Sequence, residues 1–254
     1  MILAAFDEAG YPQLVVMDFQ QESSEPHQFE DLQYATTLFY PEFAIHNTHF
    51  LNIDIRANPG PSWQPDAKLQ APFFQDASHR LFVVSLWIYI DGGMQCLTQF
   101  LPSNSLTFLI ENETTGFYYE WEEWGLHGSR LLFPSKMPSD IWVCYVHGLK
   151  YVTLEPGASQ DESVARLYDL NQVAIKRNYR DKGTCADIDG WLCNREGIVL
   201  VPGIFKDLVE TRLPYRSQAL QLKDVHDHCL ALCSEDHIIV VDVSFREICS
   251  DECC

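Results

Sequence analysis

The chain has 254 residues, 46% apolar and 13% aromatic, with 36 Asp and Glu against 17 Lys and Arg and a net charge of −19. Such an excess of acid repels nucleic acid and anionic lipid headgroups, so neither is an expected partner, and the apolar content is too high for the acidity to mark disorder. A core of this size fits one domain, expected over residues 1–248 and followed by a Cys-rich tail at 249–254. The N-terminal MILAAFDEAG holds no basic leader and meets acid at Asp7. A cytoplasmic or nuclear protein is therefore expected, with its nine cysteines mostly reduced.

In chain order, Ile2 to Phe6 and Gln13 to Phe19 are apolar runs separated by Asp7-Glu8-Ala9-Gly10-Tyr11-Pro12, the pattern of a hairpin with a loop of several residues. Residues 20–33 are polar and read as a loop, Tyr34 to Phe43 is a mixed aromatic stretch, and His49 to Ile55 is a strand. The proline-rich stretch 58–72 is a surface connector, since proline interrupts both ladder and helix. Leu81 to Pro102 is the organising element: two β-branched and aromatic runs meet at Asp91-Gly92-Gly93 and predict a β-hairpin. A buried helix is the competing reading and would have to cross both glycines. A membrane span is excluded because Leu81 to Ile90 falls well short of the roughly twenty apolar residues a bilayer needs.

Beyond this hairpin, Ser105 to Glu111 is expected to continue the sheet, Tyr118 to Gly125 is aromatic and acidic, and Arg130 to Phe133 is a short strand. His147-Gly148-Leu149 marks a hairpin between Ile141 to His147 and Lys150 to Leu154. Asp161 to Arg177 supports both periods: Val164, Leu167, Tyr168 and Asn171 share a helical face, while Val164, Arg166 and Tyr168 alternate as in a strand, the preferred reading. Residues 178–189 read as loop, and Gly197 to Val201, Gln218 to Leu222, Cys229 to Cys233 and His237 to Val243 as strands. The fold class is thus all-β, built of antiparallel short-strand meanders, with sandwich, barrel and propeller as architectures. Aliphatic-Asp pairs at Asp18, Asp54, Asp91, Asp169 and Asp242 recur at intervals of 36, 37, 78 and 73 residues. They point to a WD-like β-propeller or partial propeller, whose blades repeat about every 40–45 residues.

Chemical candidates are few. Glu120, Glu122 and Glu123 lie between or beside Trp121 and Trp124, and carboxylates near aromatic faces suit a glycan-cleaving site. The competing reading is an inter-strand turn pinned by the two tryptophans. His226, His228, Cys229, Cys233 and His237 are metal ligands by type, yet Cys229 and Cys233 on an extended strand stand about 13 Å apart, too far to share one ion. Cys185 and Cys193 lack zinc-knuckle spacing, so no metal or other cofactor is expected. The terminal Cys253-Cys254 lacks a prenylation box and polybasic neighbours.

Four segments, Trp121 to Gly125, Trp142 to Val152, Arg166 to Asn171 and Leu213 to Arg216, carry a family resemblance. In that order and spacing they resemble the C-terminal, propeller-like half of fungal F-box-type proteins, over roughly Arg80 to Val243. The resemblance implies a non-catalytic scaffold that presents loops to a protein partner, as in the substrate-recognition region of ubiquitin-ligase subunits. Trp121, Glu122, Glu123, Trp124 and Gly125 are the candidate binding residues. The helical F-box that docks the ligase adaptor has no counterpart in these residues, since Leu101-Pro102 and Leu213-Pro214 sit in strand-rich sequence. A propeller-type enzyme acting on a glycan through Glu120, Glu122 and Glu123 is the alternative. Open sheet edges would allow self-association.

Overall fold

The computed structural model describes residues 2–16, 36–44, 49–57, 80–90, 93–110, 117–132, 144–156, 162–176, 192–194, 198–200, 204–223, 229–234 and 237–242. The loops expected at 20–33, 58–72 and 178–189, the tail, Trp142 and Cys185 lie outside them. In chain order the elements begin with β1 (Ile2–Phe6), β2 (Pro12–Val16), β3 (Thr36–Phe39), β4 (His49–Arg56), β5 (Leu81–Ile90) and β6 (Gly93–Pro102). Next come α1 (Ser103–Ile110), β7 (Phe117–Tyr119), α2 (Trp121–Gly128), β8 (Arg130–Leu132), β9 (Cys144–His147), β10 (Lys150–Pro156) and β11 (Glu162–Asp169). The series closes with β12 (Leu192–Asn194), β13 (Ile198–Leu200), β14 (Val209–Thr211), β15 (Tyr215–Lys223), β16 (Cys229–Ser234) and β17 (His237–Asp242). The described residues are mostly β, in largely antiparallel sheets, and close into neither a barrel nor a propeller. None of their helices is long and apolar enough to cross a membrane.

Where composition suggested one domain, the contacts divide into two compact units: Met1–Arg56 with Phe82–Pro134 and Arg195–Leu213, and Ala57–Leu81 with Ser135–Asn194 and Pro214–Cys254. The first unit holds two four-stranded sheets, ordered β1-β2-β3-β7 and β4-β5-β6-β8, and the β13-β14 pair. β5 and β6 are neighbours, as the organising hairpin requires, although Asp91 and Gly92 at its turn lie outside the described residues. The β1–β2 loop matches its expected form. Asp7 Oδ1 accepts the backbone N–H groups of Ala9 and Tyr11 at 2.9 and 2.7 Å, and Gly10 takes φ 84°, a value costly to any residue with a Cβ. One buried cluster joins the two sheets with α2, including Leu14, Leu38, Leu86, Leu97, Trp121 and Trp124.

Two segments expected in the sheet are helical. After Pro102 ends β6, α1 takes over at Ser103, and Thr107 Oγ1 donates to the Ser103 carbonyl one turn earlier at 3.1 Å. The strand reading of Ser105 to Glu111 is therefore corrected. So is the reading of Trp121 to Gly125 as an inter-strand turn, for these residues open α2. β7, whose pairing with β3 is parallel, and the short β12 and β14 were not anticipated.

The second unit holds the five-stranded antiparallel sheet β12-β15-β11-β10-β9 and the β16–β17 hairpin. The β9–β10 hairpin has the predicted two-residue turn, with His147 opposite Lys150 and Gly148 at φ 59°. Asp161 to Arg177 follows the preferred strand reading over Val164, Leu167 and Tyr168, three residues of the competing helical face. β11 runs as a strand to Asp169, and residues 172–176 then form a helical turn. Asn171 starts that turn: its Oδ1 accepts N–H from Val173 and Ala174, both at 3.1 Å. Of the recurring aspartates, Asp169 and Asp242 end strands while Asp54 lies within β4, bonded to Arg56 at 2.7 Å. They do not share one structural position.

Candidate functional site

The candidate segment folds as a helix because its charges and rings suit one. Glu120 precedes α2 in extended backbone, at φ −75° and ψ 159°, and its N–H donates to the Glu123 carboxylate at 2.9 Å. That bond satisfies a donor at the helix start, and Glu122 and Glu123 place negative charge where the helix dipole favours it. At the other end, the N–H and hydroxyl of Ser129 both donate to the Gly125 carbonyl, at 3.1 and 2.9 Å. Trp121, Trp124 and Gly125 fall on one face by helical spacing and are buried, whereas Glu122 and Glu123 are exposed.

The two tryptophans belong to the core. Trp121 stacks on Tyr40 at 6.1 Å between ring centres and 19° between planes. Trp124 meets both rings edge-on, at 6.0 Å from Tyr40 and 5.0 Å from Trp121. Its Nε1 donates to the Phe39 carbonyl at 3.0 Å, tying α2 to the end of β3. Gly125 is required by this packing: a Cβ there would fall 2.3 Å from Trp121 Cε3 and 2.5 Å from Cζ3. The Tyr40 hydroxyl donates to Gln99 Oε1 on β6 at 2.5 Å, and burial holds its pKa above the usual phenol range.

Beside this cluster lies a cavity of about 430 Å³. Its apolar lining comes from Tyr40, Pro41, Trp121, Leu126, Leu208 and Val209, with Leu208 65% exposed. Five carboxylates also line it, those of Glu42, Glu120, Glu122, Asp207 and Glu210, and among the described residues no cationic side chain does. The wall carrying Asp207 is pinned from both sides. Lys206 N–H donates to the Glu42 carbonyl at 2.8 Å, Ala44 N–H to that of Ile204 at 2.8 Å, and Arg212 N–H to that of Leu126 on α2 at 2.7 Å. Two lining carboxylates have cations of their own. Lys206 Nζ lies 2.9 Å from Glu42 Oε1, a hydrogen bond that raises the lysine pKa, and Arg212 Nε lies 2.7 Å from Glu210 Oε1, lowering the carboxyl pKa. Among the described residues the Glu122 and Asp207 carboxylates form no hydrogen bond or ion pair, although the Asp207 charge adds weakly to the rise of the Lys206 pKa behind the larger effect of Glu42.

Of the five candidate residues, Trp121 and Glu122 line the cavity, Glu123 serves the helix start, and Trp124 and Gly125 serve the core. Tyr40, Gln99, Asp207 and Leu208 went unread as site residues. The mixed aromatic stretch Tyr34 to Phe43 and the polar Gln99 within an apolar run were the available signals. Glu122, Glu123 and His127 share α2 and Glu120 immediately precedes it, while His147 is on β9 of the other unit. Cys229 and Cys233 lie on β16, as expected. No group of three or more potential metal ligands gathers among the described residues.

The other motifs meet in the second unit. Asp169, ending the Arg166 to Asn171 segment, is buried and accepts Arg216 Nε at 2.8 Å and Nη2 at 2.6 Å from the Leu213 to Arg216 segment. Its other oxygen accepts the Asn171 N–H at 2.9 Å, and Gln172 Nε2 donates to the Pro214 carbonyl at 2.8 Å. Tyr151, Tyr168 and Tyr215 form a row of rings at 6.0 and 5.7 Å across β10, β11 and β15. Compared with known proteins, the chain matches no family model, no curated protein and no solved structure.

Proposed function

We propose that this chain is a non-catalytic protein-interaction scaffold, comparable to the substrate-recognition region of F-box-type ubiquitin-ligase subunits and built on propeller-like meanders. The observation that carries this reading is the cavity beside α2, where an exposed Leu208 stands among carboxylates on a wall fixed by backbone hydrogen bonds. Apolar anchors within a polar rim are what a protein-docking surface requires. The same geometry disfavours the glycan-hydrolase alternative, because Glu123 is engaged at the helix start and adjacent carboxylates on one helix do not flank a scissile bond from opposite sides. A photo-cross-linker placed at Leu208 of the full chain should capture a discrete protein, which then binds the purified chain and is lost on Leu208→Asp. Turnover of a glycan by the purified chain, abolished in Glu122→Gln, would overturn this reading in favour of the enzyme.

A further inference from the structure

The cavity beside α2 also constrains the chemistry of its occupant. Among the described residues five carboxylates and no cation line it, and the salt bridges of Lys206 and Arg212 go to Glu42 and Glu210. Glu122 has no ionic partner among the described residues, and Asp207 has only the weak pull of Lys206, whose hydrogen bond goes to Glu42. Between them the surface is apolar, with Leu208 projecting and Leu126, Pro41 and Val209 beside it. Trp121 at this lining is 3% exposed, and its indole N–H meets no acceptor.

Resting on the reading of this cleft as a protein-docking site, we infer that it takes a peptide segment carrying arginine or lysine next to an aliphatic residue. The cation answers Glu122 and Asp207, and the aliphatic side chain packs on Leu208. A polyamine brings charge but no aliphatic branch. A metal ion brings charge alone, whereas an acidic peptide meets like charge on every side.

The test uses the full chain and a fluorescein-labelled peptide of alternating arginine and leucine, read by anisotropy at low and at physiological salt. Binding should weaken with salt. It should fall at least tenfold in Glu122→Lys/Asp207→Lys and several-fold in Leu208→Ser, all exposed positions whose folding is checked by thermal unfolding. Glu8→Lys, the same charge change in the β1–β2 loop as either single reversal, should leave it unchanged where Glu122→Lys alone weakens binding, and spermidine should compete poorly. Equal weakening by Glu8→Lys, or spermidine competing as well as the unlabelled peptide, reduces the effect to bulk charge and overturns the inference. If an uncharged or acidic leucine peptide binds with sensitivity to Leu208→Ser and none to the charge reversals, the docking reading stands and the basic occupant falls. If no peptide of any charge responds to Leu208→Ser, both fall.

Discussion

The joint around α2 in the first unit is held by rings, whereas the joint between β11 and β15 in the second is held by charge. Trp121, Trp124 and Tyr40 enclose one another with centroids 5.0 to 6.1 Å apart, and one indole N–H reaches a backbone carbonyl. Asp169 and Arg216 are also buried, with side-chain exposures of 1% and 15%, but their stability depends on each ion having the other. Ring packing degrades in proportion to the surface lost. A buried ion pair fails abruptly, because the surviving partner is a desolvated charge.

Single substitutions should expose that difference. Arg216→Met strands the Asp169 carboxylate and should cost about 3–5 kcal/mol, measured by denaturant unfolding. Adding Asp169→Leu should recover part of this loss; a double variant no more stable than Arg216→Met would show that the pair is not coupled. Trp124→Ala should cost a similar ~3–5 kcal/mol by leaving a cavity, and no second substitution at Tyr40 should recover it.

Smaller effects sharpen the picture of the ring joint. Gly125→Ala forces Trp121 to shift and should cost ~1–3 kcal/mol, with a change in the near-ultraviolet circular dichroism of the aromatic cluster. An unchanged spectrum would mean the ring does not lie over Gly125. Tyr40→Phe leaves the Gln99 amide oxygen without its donor, at about 1–3 kcal/mol. The same hydroxyl gives the joint a pH limit. Its pKa is raised in the fold, so its contribution is full below the unfolded phenol value of about 10 and is lost as pH climbs toward the folded value. Unfolding measured across this range should show an alkaline loss of stability that is smaller in Tyr40→Phe. The mildest change is Glu123→Ala at the helix start, about 0.5–1 kcal/mol, a value that falls if Glu120 finds another acceptor.

What the sequence alone determined here is local. β-branched and aromatic runs such as Leu81 to Ile90 form strands because their side chains pack on a pleated surface, and Gly10 and Gly148 mark turns because positive φ favours glycine. Tertiary structure decided what depends on distant residues. Trp121 to Gly125 lacks the Ser, Thr, Asp or Asn that usually announces a helix, and its helical face has meaning only once Tyr40, about eighty residues earlier, supplies the ring against it. The parallel β3–β7 pairing spans a similar separation, and the Asp169–Arg216 bond spans 47 residues. Three neighbouring glutamates are chemically alike in the sequence. Packing alone assigns Glu123 to the helix start and sets Glu122, unpaired, at the rim of a cavity whose far wall comes from Asp207 and Leu208. A carboxylate's role is set by the donors and charges that folding brings within a few ångströms of it, and short-range sequence does not encode those neighbours.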